Sequence, residues 1–211
     1  AVAGVGERCR PDGHRLALID FPKEDAKATV PNVLIPKKAL AEILKMDGGG
    51  ADARLEIRHS ENHLLFTVGS RQLVARLLDV NFPDYEKILS KSNDRVAQVP
   101  TAATKDAIRR VSLFSPERSR GVKLSFEKDL LTVASASQEL GEGTETLDVS
   151  FDGEPLSIGL NAQYLLDFLE EAETESVRLE LKDENTQCLC QPEGGLEGAS
   201  QYLYVVMPMR L

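Results

Sequence analysis

The 211-residue sequence has no tryptophan, only three cysteines and three histidines, and 5% aromatic residues. Cys9, Cys188 and Cys190 form no Cys-x-x-Cys pair, and His14, His59 and His63 supply no zinc-ligand spacing beside them. A structural zinc site is therefore not expected, and a reduced, cytoplasmic setting is. No run approaches the roughly 20 apolar residues needed to span a bilayer, and the opening AVAGVGERCRPDGHR lacks the apolar stretch of a signal peptide. Basic residues are in deficit too: 25 Lys plus Arg face 34 Asp plus Glu, a formal charge of −9. That balance argues against a uniformly basic nucleic-acid binder. With 42% hydrophobic and 28% charged residues, the chain reads as folded, in one large domain or two small ones.

Catalytic signatures are missing as well. There is no Ser-His-Asp spacing motif, no nucleophile elbow and no phosphate-binding glycine loop. Gly48, Gly49 and Gly50 are followed by Ala51 and Asp52, without a Lys-Ser or Lys-Thr pair, and read as a helix stop. Cys188 and Cys190 alternate with Leu189, which puts both thiols on one strand face. No cofactor or metal is implied.

What the chain does have is a repeat. An extended stretch, Val30 to Ile35, leads into a helix with Pro36 at its first position and Leu40, Ile43 and Leu44 as an apolar stripe. Strands then follow at Arg54 to Arg58, His63 to Gly69 and Gln72 to Asp79. The same order returns with a strand at Arg95 to Pro100, a helix capped by Thr101 with Ala107, Ile108 and Val111 inward, and the strands VKLSF, LLTVAS and TETLDVSF. It returns again with LSIGL, a helix capped by Asn161 that buries Leu165, Phe168 and Leu169, and the strands VRLEL, QCLC and QYLYVVMP. The helix starts Pro36, Thr101 and Asn161 are 65 and 60 residues apart. A β-α-β-β-β unit of that length predicts an α+β fold with helices lining one face of antiparallel sheets. Two units make a domain of about 110 residues. The expected cut in the polar stretch Ser90 to Asp94 gives domains 1–93 and 94–211. The first holds one unit plus an orphan strand, His14 to Phe21, and is expected to be truncated.

The tail YVVMPMRL (Tyr204 to Leu211), with DGHRLAL (Asp12 to Leu18), FPDY (Phe82 to Tyr85) and RGVKL (Arg120 to Leu124), resembles the bacterial DNA polymerase III β sliding clamp. The four segments occur in that family's order over nearly the whole chain. The resemblance implies the DNA-clamp fold, with 1–93 as most of a middle domain, 94–211 as a third domain, and the first domain absent. It implies a non-catalytic processivity factor, a homodimeric ring when full length, that encircles duplex DNA without sequence specificity. Nucleotidyltransferase chemistry would belong to the DNA polymerase III holoenzyme it serves. Its other partners would be the replicative polymerase's catalytic subunit, the clamp loader and other proteins carrying clamp-motif peptides. The alternative is a peptide-binding module unable to close a ring on DNA.

Carried onto this sequence, the peptide cleft comprises Gly13, His14, Arg15, Leu16, Pro83, Lys87 and Ile88, with Asn161, Tyr164, Val205, Val206, Met207, Pro208, Met209, Arg210 and Leu211 from the last domain. Asn185 and Gln187 fall nearby, before an EGGLEG segment that reads as an insertion. Pro11 stands where the family has Thr, and Lys87 and Ile88 where it more often has Arg and Val. Leu113 and Phe114 match positions at the family's subunit interface. For DNA, helices must present cations to phosphates. Residues 1–138 carry 22 basic and 18 acidic residues, whereas 139–211 carry 3 and 16, so nets of +4 and −13 lie under the total. Lys37, Lys38 and Lys45 on the first helix, with Lys105 and Arg109 on the second, are the expected DNA-facing set. The competing reading of the second helix is a solvated face with Asp106 and Arg110 paired. The third helix carries Asp167, Glu170 and Glu171, which would repel DNA unless they point away.

Overall fold

The structure, a computed structural model, describes residues 8–11, 13–20, 33–46, 54–79, 89 and 93–211. In chain order its elements are β1 (Arg8–Pro11), β2 (Arg15–Asp20), α1 (Lys37–Ile43), β3 (Leu55–Ser60), β4 (His63–Val68) and β5 (Arg71–Arg76). There follow β6 (Arg95–Pro100), α2 (Thr101–Val111), a 3-10 turn (Ser112–Phe114), β7 (Gly121–Glu127), β8 (Leu130–Ser137), β9 (Gly141–Asp148) and β10 (Ser150–Phe151). The last are β11 (Leu156–Asn161), α3 (Ala162–Glu171), β12 (Ser176–Leu181), β13 (Cys188–Pro192) and β14 (Gln201–Val206). The chain divides into two units: one comprises 1–6 and 22–83, the other 7–21 and 84–211.

In the first unit, β3, β4 and β5 form an antiparallel meander. Strict alternation along β4 buries Leu64, Phe66 and Val68, as a half-buried strand requires. Ala39 of α1 and Ala75 join Leu64 and Phe66 in this core, with Ile43 packed against it. The expected apolar stripe of α1 is corrected here. Leu40 is 40% and Leu44 88% exposed, because the helix is only seven residues long and turns Ala39 and Ile43 inward. Pro36 is the N-cap, one position before the helix. Within the stretch Val30 to Ile35, the described residues 33–35 form no strand, although Leu34 O accepts from Leu78 N at 3.0 Å. The triple glycine lies outside the described residues.

The second unit holds a four-stranded sheet, β11-β7-β8-β9, and a seven-stranded sheet, β1-β2-β14-β13-β12-β6-β10. The repeats interlock. The opening strand of one repeat, β6, pairs with β12 of the next, while that repeat's own opening strand, β11, pairs with β7. Each sheet thus borrows a strand, and neither repeat buries its apolar face alone. The helices α2 and α3 pack on one another and on a core holding Ile108, Leu124, Phe126, Phe151, Leu160, Phe168 and Leu181, all 1% exposed or less. Phe126 lies 5.5 Å from Phe151, and Phe168 lies 5.4 Å from Tyr204, ring centroid to centroid. Burying each such side chain stabilises the fold by about 1.5–3 kcal/mol.

Two further expectations change. Thr101 is the first residue of α2 and buried, with Pro100 at the N-cap and no side-chain cap. The proline's extended φ and ψ set the helix entry instead. TETLDVSF is two strands, β9 and β10, because Ser150 and Phe151 leave the four-stranded sheet to pair with β6. By contrast, Ala107, Ile108 and Val111 of α2, and Leu165, Phe168 and Leu169 of α3, are buried as their spacing predicts.

Cys188 and Cys190 lie opposite Val206 and Tyr204 in the β13–β14 ladder. Both are fully buried, with their Sγ atoms 3.7 Å apart. Hydrogen bonding to Cys188, together with burial, pushes the Cys190 thiol well above the usual thiol range, so it stays protonated and unreactive. Brief alkylation at mildly alkaline pH followed by peptide mapping should leave both cysteines unlabelled in native buffer and label both in denaturant. Labelling of either one in the native chain would contradict this packing.

Candidate functional site

The start of α3 organises the site. Asn161, at φ −75° and ψ 120°, accepts hydrogen bonds at its side-chain oxygen from Gln163 N (2.9 Å) and Tyr164 N (3.3 Å). Its amide nitrogen donates to Ser119 O at 3.2 Å, tying the helix start to the loop before β7. This cap fixes Tyr164 in the first turn. Strand β2 reaches the same place after Gly13, whose φ of +87° is the left-handed turn conformation that glycine permits. Arg15 stands opposite Val206 in the β2–β14 ladder. Its guanidinium lies 4.4 Å over the Tyr164 ring, donates to the Asp167 carboxylate and reaches Tyr204 Oη at 3.3 Å. Burial raises the Tyr204 phenol, and Arg15 opposes that shift. A cation held by an aromatic face, a carboxylate and a phenol keeps one orientation.

The C-terminal tail closes the other side. Met207 N donates to His14 O and Met209 N to Gly159 O, both at 2.8 Å. Met207 and Leu211 are 38% and 66% exposed; Pro208 and Met209 are half-buried and Arg210 is exposed. Gly13, His14, Arg15, Asn161, Tyr164 and the tail are therefore brought together within one unit. Leu16, Val205 and Val206 are brought there only as backbone. Leu16 and Val205 pack with Leu18 and Leu203 in a small cluster, while Val206 belongs to the main core, all three being 2% exposed or less. The alternation of a strand sends neighbours to opposite faces, so one strand cannot offer all its residues to one surface. Asn185 lies in the turn after β12, where its N–H donates to Asp183, and Gln187 O accepts from Asn93 Nδ2 at 3.2 Å. Pro83, Lys87 and Ile88 lie outside the described residues.

Sequence reasoning missed Asp167 as part of this site. Its signal was helical spacing: Asp167 stands four residues after Gln163 and three after Tyr164, and Gln163 Nε2 donates to Asp167 Oδ1 at 2.8 Å.

On α1, Lys37 and Lys38 are exposed, and Lys45, just past its end, pairs with Glu42 at 3.0 Å. On α2, Lys105 is half-buried, and exposed Arg109 reaches Glu170 of α3 at 3.1 Å and Asp106 at 3.8 Å. Two of the three α3 carboxylates named above thus have cationic partners. The Asp106–Arg110 pairing is corrected: Arg110 instead grips Glu145 of β9 through two bonds of 2.6 Å, a fork that Asp106 on its own helix does not offer. That grip holds the Glu145 carboxyl below the ordinary glutamate value. Leu113 is 72% exposed, and the Phe114 ring covers Gly143 of β9 so closely that a Cβ there would overlap it. Among the described residues, no group of three or more His, Cys, Asp or Glu is placed to hold a metal ion.

Residues 86–210 match the family described as the DNA polymerase III beta subunit, C-terminal domain, and residues 9–84 match its central domain. The chain belongs to the DNA polymerase III beta subunit family. It is 34% identical over 200 residues to the beta sliding clamp of Pseudomonas putida KT2440, covering 95% of this chain and 53% of the relative. It is 35% identical over 203 residues to that of Salmonella typhimurium LT2, with the same coverage. The crystal structure of the Bartonella birtlesii sliding clamp bound to griselimycin superposes with a TM-score of 0.85 at 32% identity, covering 96% of this chain and 54% of that one. The chain spans about half the length of the curated relatives it matches. With this, the expected α+β clamp fold holds.

Two outcomes follow from the geometry. Asn161→Ala removes the cap of α3 and should cost about 1 kcal/mol in urea unfolding. A change below a few tenths would show that the cap is dispensable. Glu145, with its folded value depressed, stabilises the fold above the ordinary glutamate range and loses that contribution as pH falls through its lowered folded value. The stability difference between wild type and Glu145→Gln, measured by urea unfolding, should therefore shrink on acidification across that window.

Proposed function

We propose that this chain is a clamp-forming part of the bacterial replicative polymerase's processivity factor, acting in the cytoplasm. It binds rather than catalyses. At the full length of its relatives, the protein closes as a two-subunit ring on duplex DNA and captures short clamp-motif peptides of the polymerase catalytic subunit and the clamp loader. The observation that carries this reading is the convergence of Arg15, Tyr164, Asn161 and the Met207–Leu211 tail within one unit. Flexible, polarizable Met207 and Met209 beside a locked guanidinium offer an adaptable apolar contact with a fixed polar rim, which suits several partners sharing a short motif.

Residues 94–211 serve as the third clamp domain and 1–93 as part of the middle one, with the family boundary at residues 84 to 86 supporting a junction in this region. Exposed Leu113, with Phe114 beside the open edge of β9, is the subunit contact. Lys37, Lys38, Lys45, Lys105 and Arg109 face the phosphates. The pairing of Glu170 with Arg109 and of Asp167 with Arg15 supports this, since it lowers the repulsion that α3 would otherwise exert.

Griselimycin is the probe for the cleft. Wild type should bind it in a calorimetric titration, and Arg15→Ala or removal of Met207 to Leu211 should weaken binding by about tenfold or more, the scale of one charge-assisted hydrogen bond. Equal affinity in all three chains would overturn the assignment of the cleft. For DNA, the combined Lys37→Ala, Lys38→Ala, Lys105→Ala and Arg109→Ala variant should flatten the plot of log K against log salt by about 0.9 for each phosphate no longer neutralised. An unchanged slope would remove these residues from the DNA face.

A further inference from the structure

We infer that Gly159 is a positioning residue for the cleft: its missing side chain is the seat on which the C-terminal tail is held. This rests on the peptide-cleft reading for its functional consequence, though the seat itself is geometric. The tail leaves β14, in the seven-stranded sheet, and crosses to the edge of β11, in the four-stranded one. Two backbone bonds hold it, Met207 N to His14 O and Met209 N to Gly159 O. Pro208 between them has no N–H to donate and a fixed φ, so those two bonds set the path.

Gly159 lies inside β11, opposite Lys123 of β7. A glycine there weakens a strand, and Gly159 is not among the glycines with positive φ, so the backbone conformation does not call for it. Close approach does. A Cβ at Gly159 would overlap the backbone oxygen of Met209, and it would also press on the Leu211 side chain at 2.9 Å. A backbone atom pinned by its own residue's hydrogen bond cannot swing aside, so the tail as a whole must lift.

Gly121 provides the internal contrast. It sits on the same face of the neighbouring strand, opposite Asn161, and its Cβ would overlap only the tip of Leu211. That tip is the far end of a flexible side chain on a residue that is 66% exposed, and rotation relieves the clash. The two glycines look alike in sequence, yet only one should be indispensable to the tail.

Amide hydrogen exchange at Met209, read by NMR on the whole chain, tests this alongside griselimycin titration. In Gly159→Ala, protection of the Met209 amide should fall by about tenfold, the scale of a single hydrogen bond, and griselimycin affinity by a similar factor. Gly121→Ala should keep both within about twofold. In a chain lacking Met209 to Leu211, adding Gly159→Ala should change griselimycin affinity by less than about twofold, because nothing remains to be unseated. Wild-type Met209 protection in Gly159→Ala, or an equal loss in Gly121→Ala, would overturn the inference. So would a Gly159→Ala chain that fails to fold even without the tail, whereas one rescued by truncation would support it. If wild type fails to bind griselimycin, the cleft reading falls while Met209 exchange still decides on Gly159.

Discussion

The pairing of β2 with β14 is the constraint on which the rest depends. Six residue pairs, from Arg15 opposite Val206 to Asp20 opposite Gln201, join a segment near the start of the chain to one near its end. The register sets the β2 side of the site. It turns Arg15 toward Tyr164 and Asp167, and it turns Leu16 and Leu18 into the cluster with Leu203 and Val205. A slip of one residue would bury the guanidinium among those leucines and expose the leucines beside α3, at a cost no alternative contact offsets. The ladder also delivers His14 O to Met207, the first of the tail's two anchors.

Much of this was legible in the sequence. The helix and strand order of the repeat, the cap at Asn161, the buried faces of α2 and α3, and the shared face of Cys188 and Cys190 all follow from local pattern, which short-range sterics and hydrogen bonding fix. What local pattern could not supply was exchange between repeats. Nothing in LSIGL says that β11 leaves its own repeat to pair with β7, since a period-2 strand fits either sheet. Val205 and Val206, carried into the expected cleft by the family resemblance, have buried side chains that join different clusters on either side of β14. For α1, spacing gave an apolar stripe, but the short helix turns Ala39 and Ile43 inward and leaves Leu40 and Leu44 exposed.

The charge split shows why sequence sums mislead about fields. The acidic C-terminal stretch raised the prospect that α3 repels polyanions, yet Asp167 is engaged by Arg15 and Glu170 by Arg109. Asp167 therefore serves two surfaces: it sits on the helix that lies beside α2 and also orients the Arg15 guanidinium over the Tyr164 ring. Exposed pairs such as Arg109 with Glu170 add little stability. Their effect is on the local potential of the surface.

The distance along the chain between the two halves of that ladder has a consequence for synthesis. Ser200 and Asp20, which meet at its far end, are 180 positions apart. While a ribosome is still making the intervening residues, β2 has no partner on that side and presents an open strand edge, the kind of surface chaperones shield and aggregates recruit. Only when β14 emerges does the edge close, and the tail that follows finds its anchors at once. A nascent chain stopped short of β14 therefore lacks both anchors of the tail, since neither Met207 N can bond His14 O nor Met209 N bond Gly159 O.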